Sequence, residues 1–218
     1  MASITEILSE EKLREFGLHI ASPRVSRYMR PYVEQVNGAN IFPLSFILRR
    51  IHLLGKVLNE YNPNEVLVYS SHPNAENALD SFKQLTGVNT VFKRVLPGIL
   101  SNPQLSSNTG VVLLMDIMRG RPEVFHMANP QRSVSITEED FKNEARLALE
   151  ASKQHIPVYS GCNSNAILEH VDYIVPFNTF NTRAIGVFYY LLARAYLLAA
   201  NKITPSDLLP LPLESFFY

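Results

Sequence analysis

The stretch "NPNEVLVYSSHPNAENALDSFKQLTGV", residues 62–88, decides the fold. Its run from 65 to 71, "EVLVYSS", is rich in β-formers and bounded by turn residues, which predicts a strand. Pro73 then stands at a first helical position, where its missing N–H costs nothing, and Ala75, Ala78, Leu79, Phe82 and Leu85 follow on one helical face. The order is strand, tight turn, helix.

The same unit recurs on either side. Upstream, Leu44, Ile47, Leu48, Ile51, Leu54 and Leu58 form one helical stripe that "YNPN" ends at 61–64, and Ile41-Phe42 predicts a brief strand before it. Downstream, "VNTVF" reads as a short strand. "GVVLLMD", 110–116, is a continuous apolar run of the kind buried on both faces, so it is expected at the sheet centre. The region 117–136 has no periodicity and reads as a loop. "TEED", 137–140, then opens a helix with a capping residue and an acidic first turn. "IPVYSG" and "VDYIVPF" are further short strands, and an apolar helix from about Thr182 to Asn201 closes the run.

Short strands alternating with helices imply parallel βαβ units. The fold class is therefore α/β: a doubly wound, mostly parallel sheet of about five strands with helices on both faces. A helix from Ile4 to Phe16 precedes this single domain, which spans 17–201, and the proline-broken tail 202–218 follows it.

The chain has 218 residues, 46% of them apolar and 18% charged, enough for one substantial core. Twenty basic and twenty acidic residues cancel, yet a neutral chain can still carry a basic face. The single Cys162 excludes an internal disulfide and reads as a small buried thiol in a reducing, cytoplasmic setting. "AIGVFYYLLARAYLLAA", 184–200, is interrupted by Gly186 and Arg194, which makes it a buried core helix and not a membrane span, with Arg194 emerging at its polar edge.

Several chemistries are missing from the motifs. There is no glycine-rich dinucleotide or phosphate loop and no nucleophile elbow. The histidines at 19, 52, 72, 126, 155 and 170 lack metal-ligand spacing, so neither a metal nor a cofactor is expected. In a doubly wound sheet, ligands sit beyond the carboxyl ends of the strands, where this chain offers Ser70, Ser71, His72, Asp116, Asn163, Ser164 and Asn178. Ser70, Ser71 and His72 with Asp116 are the best constellation for an enzyme or small-ligand binder. The plainer reading makes Ser71 a helix cap, His72 a solvated turn residue and Asp116 a strand end.

The basic residues form a more coherent set. Arg24, Arg27 and Arg30 recur every third position in "SPRVSRYMRPY", interleaved with Tyr28 and Tyr32 and with no acid between Pro23 and Val33. Lys93-Arg94 opens "FKRVLPGILSNP", a loop shaped by Pro97, Gly98, Asn102 and Pro103 and expected to lie outside the core. Arg119 and Arg121 lie in another loop, and Arg183 heads the last helix. Arginine forks suit phosphates, and tyrosines suit stacked bases, so this set points to folded RNA.

Together these stretches resemble the S2 family of small-subunit ribosomal proteins, in its archaeal and eukaryotic cytosolic branch. The resemblance is carried, in order, by "GLHIASPRVSRYMRPYV" at 17–33, the opening stretch at 62–88, "FKRVLPGILSNP", "GVVLLMD", "IPVYSGCNSNAILEHVDYIVPFN" at 156–178 and "RAIGVFYYLLARAYL" at 183–197. It implies a flavodoxin-like three-layer sandwich and a structural role, without catalysis. The implied partners are small-subunit ribosomal RNA and neighbouring ribosomal proteins between head and body, with no membrane and no DNA. It also implies that the Lys93–Pro103 loop touches RNA and protein. The chain departs from the family pattern at Ala21, in an insertion of about a dozen residues after the central strand, and in the loss of basic charge near "PFNTFN". It is a divergent member on this reading.

Overall fold

The computed structural model describes residues 8–93, 95–102, 108–115, 117 and 138–217. Asp116, Arg94, Pro103, Arg119, Arg121 and all but the first residue of the 117–136 insertion lie outside them. Helix α1, Glu10–Glu15, is capped by Ser9, whose hydroxyl accepts from the Lys12 amide. A hairpin of β1, Glu34–Val36, and β2, Ala39–Ile41, follows. It turns through Asn37 and Gly38, both at positive φ (51° and 79°), the backbone that a two-residue Asn-Gly turn supplies at little steric cost.

Helix α2, Leu44–Asn59, leads to β3, Val66–Ser70. Before β3, Asn62 and Glu65 cap one another, the Asn62 amide donating to Glu65 Oε2 at 3.1 Å. The turn after β3 is a 3-10 segment, Pro73–Ala75, and α3 runs Glu76–Thr86. Then come β4, Asn89–Phe92; β5, Val111–Met115; α4, Glu138–Lys153; β6, Val158–Cys162; β7, Tyr173–Pro176; and α5, Thr182–Ala199.

The five strands β4-β3-β5-β6-β7 pair in that order, every neighbour parallel. Numbered within the sheet, this is the order 2-1-3-4-5 of doubly wound folds, with β5 at the centre as its apolar run predicts. Alternation along the strands builds two cores, because successive side chains point to opposite faces. Val66, Val68, Val111, Leu113 and Met115 face the core shared with α2, α3 and α5. Leu67, Tyr69, Val112 and Leu114 face the core shared with Leu147, Ala148 and Ala151 of α4.

Two expectations change. Arg194 does not emerge at an edge: it is fully buried, and its guanidinium donates to the backbone carbonyls of Pro205 and Asp207. A cation taken out of water needs such acceptors, and the C-terminal segment supplies them. Phe216 and Phe217 of that segment are buried as well, packed with α5. The loop after β4 is not wholly outside the core either. Leu100 is buried in the α4 core, Val95 and Ile99 pack against it, and the Gly98 amide donates to Glu150 Oε1 at 2.9 Å. Gly98 adopts φ +84°, which lets the loop turn back onto α4. Among the described residues, no helix is long and apolar enough to cross a membrane.

Candidate nucleic-acid interface

All five strands are parallel and end at one edge of the sheet, so the described loops that leave them start at that carboxyl edge. At its centre, between β3 and β5, lies the position where a doubly wound enzyme would hold its ligand. Here the chain's own groups occupy it. Ser71 is buried; its amide donates to Glu144 Oε1 of α4 at 2.9 Å, and its hydroxyl donates to the same oxygen. The buried Ser70 hydroxyl accepts from the His72 amide at 3.0 Å.

His72 is only 4% exposed, which corrects its reading as a solvated turn residue. Its Nδ1 accepts from the Asn74 amide at 3.3 Å, so the ring caps the 3-10 turn and carries its proton on Nε2. Burial lowers its pKa to about 3. An imidazole that stays neutral and spends Nδ1 on a backbone amide is poorly suited to take a proton from Ser70 or Ser71. Asp116, the fourth member of that constellation, lies outside the described residues.

The ends of β6 and β7 are filled in a different way, by the segment 16–26. Asn163 Oδ1 accepts from the Ser22 amide at 3.0 Å and from the Ser164 amide at 2.7 Å. The Ser164 hydroxyl lies 3.1 Å from both the Ser22 and Arg24 carbonyls, and its own carbonyl accepts from the Ser26 amide at 2.7 Å. Asn178 Nδ2 donates to the Gly17 carbonyl at 3.0 Å, and Asn181 Nδ2 to that of Phe16 at 3.1 Å. From the other side, Asn40 of β2 donates to the Ser22 and Pro23 carbonyls. Asn163, Ser164 and Asn178 were candidates for a ligand; instead they bind this chain's backbone.

The consequence is a fixed loop with its charges outside. Arg24, Arg27 and Arg30 are exposed, whereas Met29 between them is fully buried and anchors the loop against the core. Tyr28 is 45% exposed. Tyr32 is half-buried and packs on Phe46, with Arg50 stacked against both rings and against Tyr173. Of the two tyrosines, Tyr28 is the better placed to receive a base.

Lys93 and Arg183 join the same edge. Lys93 follows β4, is exposed, and holds φ +67°, a backbone that a side-chain-bearing residue adopts only when its neighbours enforce it. Tyr69 donates its hydroxyl to the Lys93 carbonyl at 2.9 Å, and the Lys93 amide donates to the Ser70 carbonyl. Arg183 lies in the first turn of α5, exposed, where a cation opposes the helix dipole. From β4 to β6 is three strand spacings, about 14 Å, so these cations border one continuous edge. Pro97 and Asn102 are exposed on the loop that Leu100 anchors.

Asn40, Asn181 and Glu144 were missed in the sequence. Asn181 had a signal, because an asparagine before Thr-Arg-Ala marks a helix N-cap, and its side chain does accept from the Arg183 amide at 3.0 Å. Asn40 and Glu144 had none, since their partners lie 18 and 73 residues away. Among the described residues, no group of histidine, cysteine or acidic side chains could hold a metal ion.

No family model matches the chain. Individual proteins do, over nearly its whole length. It is 29% identical over 202 residues to the small ribosomal subunit protein uS2 of Nanoarchaeum equitans, covering 92% of this chain and 90% of that protein. The protein of the same name from Saccharolobus solfataricus is 25% identical over 202 residues, covering 92% and 78%. That of Methanococcus maripaludis is 27% identical over 183 residues, covering 83% and 73%. The low identities agree with the sequence departures, and the long coverage agrees with the ordered motifs: over nearly its whole length the chain is similar to small ribosomal subunit proteins uS2, at the identities expected of a divergent relative.

Proposed function

We propose that this protein is a structural constituent of the small ribosomal subunit, acting in the cytoplasm and supporting subunit assembly and translation. It binds ribosomal RNA through the exposed arginines Arg24, Arg27 and Arg30 with Lys93 and Arg183, and joins neighbouring ribosomal proteins between head and body. Arg94, Arg119 and Arg121 belong to the same set by their place in the sequence. The loop residues Pro97, Gly98, Asn102 and Pro103 serve contacts to RNA or protein.

One observation carries this reading. The carboxyl ends of β6 and β7 are filled by residues 16–26, and the loop that runs on from that segment presents Arg24, Arg27 and Arg30 outward. The relatives named above are small-subunit ribosomal proteins, which supports the same conclusion. An ordered arginine loop suits a phosphate backbone, because the side chains are placed before the partner arrives. Catalysis has no part in this role.

Sedimentation tests it. An epitope-tagged copy expressed in its native cells is expected to travel with small subunits through a sucrose gradient, and to leave that fraction when high salt strips ribosomal proteins from RNA. A protein found only in the free, slowly sedimenting pool would overturn the proposal.

A further inference from the structure

We infer that Asn163 and Ser164 are positioning residues for RNA binding, a latch at the end of β6 that sets the arginine loop in its binding geometry. The inference rests on the RNA reading above.

The contacts bracket the first arginine of the loop. Ser164 approaches the carbonyls of Ser22 and Arg24 with its hydroxyl and takes the Ser26 amide on its carbonyl. Asn163 holds the Ser22 amide with the same oxygen that receives the Ser164 amide. Thus one dipeptide engages the backbone at residues 22, 24 and 26, either side of the Arg24 side chain. Both members are fully buried, so water does not substitute for them.

The division of labour within the loop explains why these bonds matter to RNA and little to the core. Ser22 has further support, since its carbonyl also accepts from Asn40 Nδ2, and Met29 is sealed in the core. Residues 23–28 lie between those two anchors. Arg24 and Arg27 are exposed, and the side chain of Val25 between them is only partly buried. Ser164 engages the backbone at both 24 and 26. Removing its hydroxyl releases the Ser22 and Arg24 carbonyls and keeps the Ser26 amide on the Ser164 carbonyl, so the loop stays attached and becomes freer at Arg24.

Binding then costs the ordering that the latch had already supplied. Ser164→Ala is expected to weaken association with purified small-subunit ribosomal RNA about two- to tenfold, the range that ordering one side chain costs. The slope of log affinity against log salt is expected to become shallower by about 0.7 to 0.9 for each phosphate no longer engaged. Asn163→Ala acts in the same direction. Asn163→Asp, which keeps an oxygen for both amides, restores binding.

The test is a double-mutant cycle in the full-length protein, with thermal melting run on every variant. The reference is Arg24→Ala/Arg27→Ala/Arg30→Ala, expected to bind weakly with a shallow salt slope. In that background Ser164→Ala is expected to have no further effect, because there are no arginines left to position. If Ser164→Ala weakens both backgrounds equally, or weakens binding only in proportion to a fall in folded protein, the latch is merely structural and the inference fails. If the triple variant binds as tightly as the parent with an unchanged slope, the arginines do not meet RNA, and the reading beneath the inference fails first. If the triple variant is weakened while Ser164→Ala and Asn163→Ala are not, the RNA reading stands and the latch alone is refuted.

Discussion

His72 shows how a single residue can look functional and act structurally. Its place after a β-strand and beside two serines suggested a base, but burial lowers its pKa from 6.5 to about 3 and its Nδ1 caps a turn. His19 and His52 are also lowered, both chiefly by burial. The sign of the linkage follows: between pH 6.5 and about 3 the unfolded chain takes a proton that the folded His72 refuses. This contribution to stability is complete above pH 6.5 and is lost as pH falls, by up to about 1.4 kcal/mol per pH unit. His72→Asn keeps an acceptor for the Asn74 amide and removes the titration. Urea midpoints at about pH 7 and about pH 5 are expected to differ less in this variant than in the parent. An equal fall in both proteins would assign the acid sensitivity to other groups.

At the scale of elements, helix against helix sets how closely the layers approach. Gly55 of α2 sits where a Cβ would lie 2.5 Å from the Ala195 Cβ and 2.8 Å from that residue's backbone carbon, so α2 and α5 touch through small residues. Gly55→Ala forces the helices apart along a contact that includes Ile51, Leu54 and Leu58. A cost of about 1 to 3 kcal/mol is expected, although alanine is the better helix former. Chemical denaturation measures it, and a variant as stable as the parent would mean that the helices can slide. The loop after β4 belongs to this scale too. Its prolines mark it as a turn, while its attachment to α4 through Leu100 and the Gly98–Glu150 bond depends on a helix about 50 residues away.

For the molecule as a whole, the C-terminal segment closes the structure. It accepts from buried Arg194 through the carbonyls of Pro205 and Asp207, takes the Ser81 hydroxyl on the Ser215 carbonyl, and lays Phe217 against Gly186. Ending the chain at Lys202 removes all three. A buried cation left without its acceptors costs about 3 to 5 kcal/mol, a large part of the stability of a domain this size. The truncated protein is expected to lose its cooperative melt, and Arg194→Leu in the truncated chain to recover part of it. A truncation that melts within about 2 °C of the parent would show that the segment is dispensable.

Local pattern was enough for the architecture. The stripe of α2, the alternating units around 62–88 and the apolar run of β5 each follow from a period written in neighbouring residues, and the parallel sheet follows from their order. The hairpin at 34–41 carries an equally local signal in Asn37-Gly38. The irregular, exposed settings of Arg24, Arg27 and Lys93 were legible as well. What sequence could not decide was which polar side chains at the strand ends face a ligand and which face their own chain. Asn163 and Ser164 meet the arginine loop about 140 residues away, Ser71 meets Glu144, and Arg194 turns inward to carbonyls beyond its own helix. A buried polar group must find a partner, but the identity of that partner depends on which segments the completed fold brings together. Only the tertiary structure holds that information.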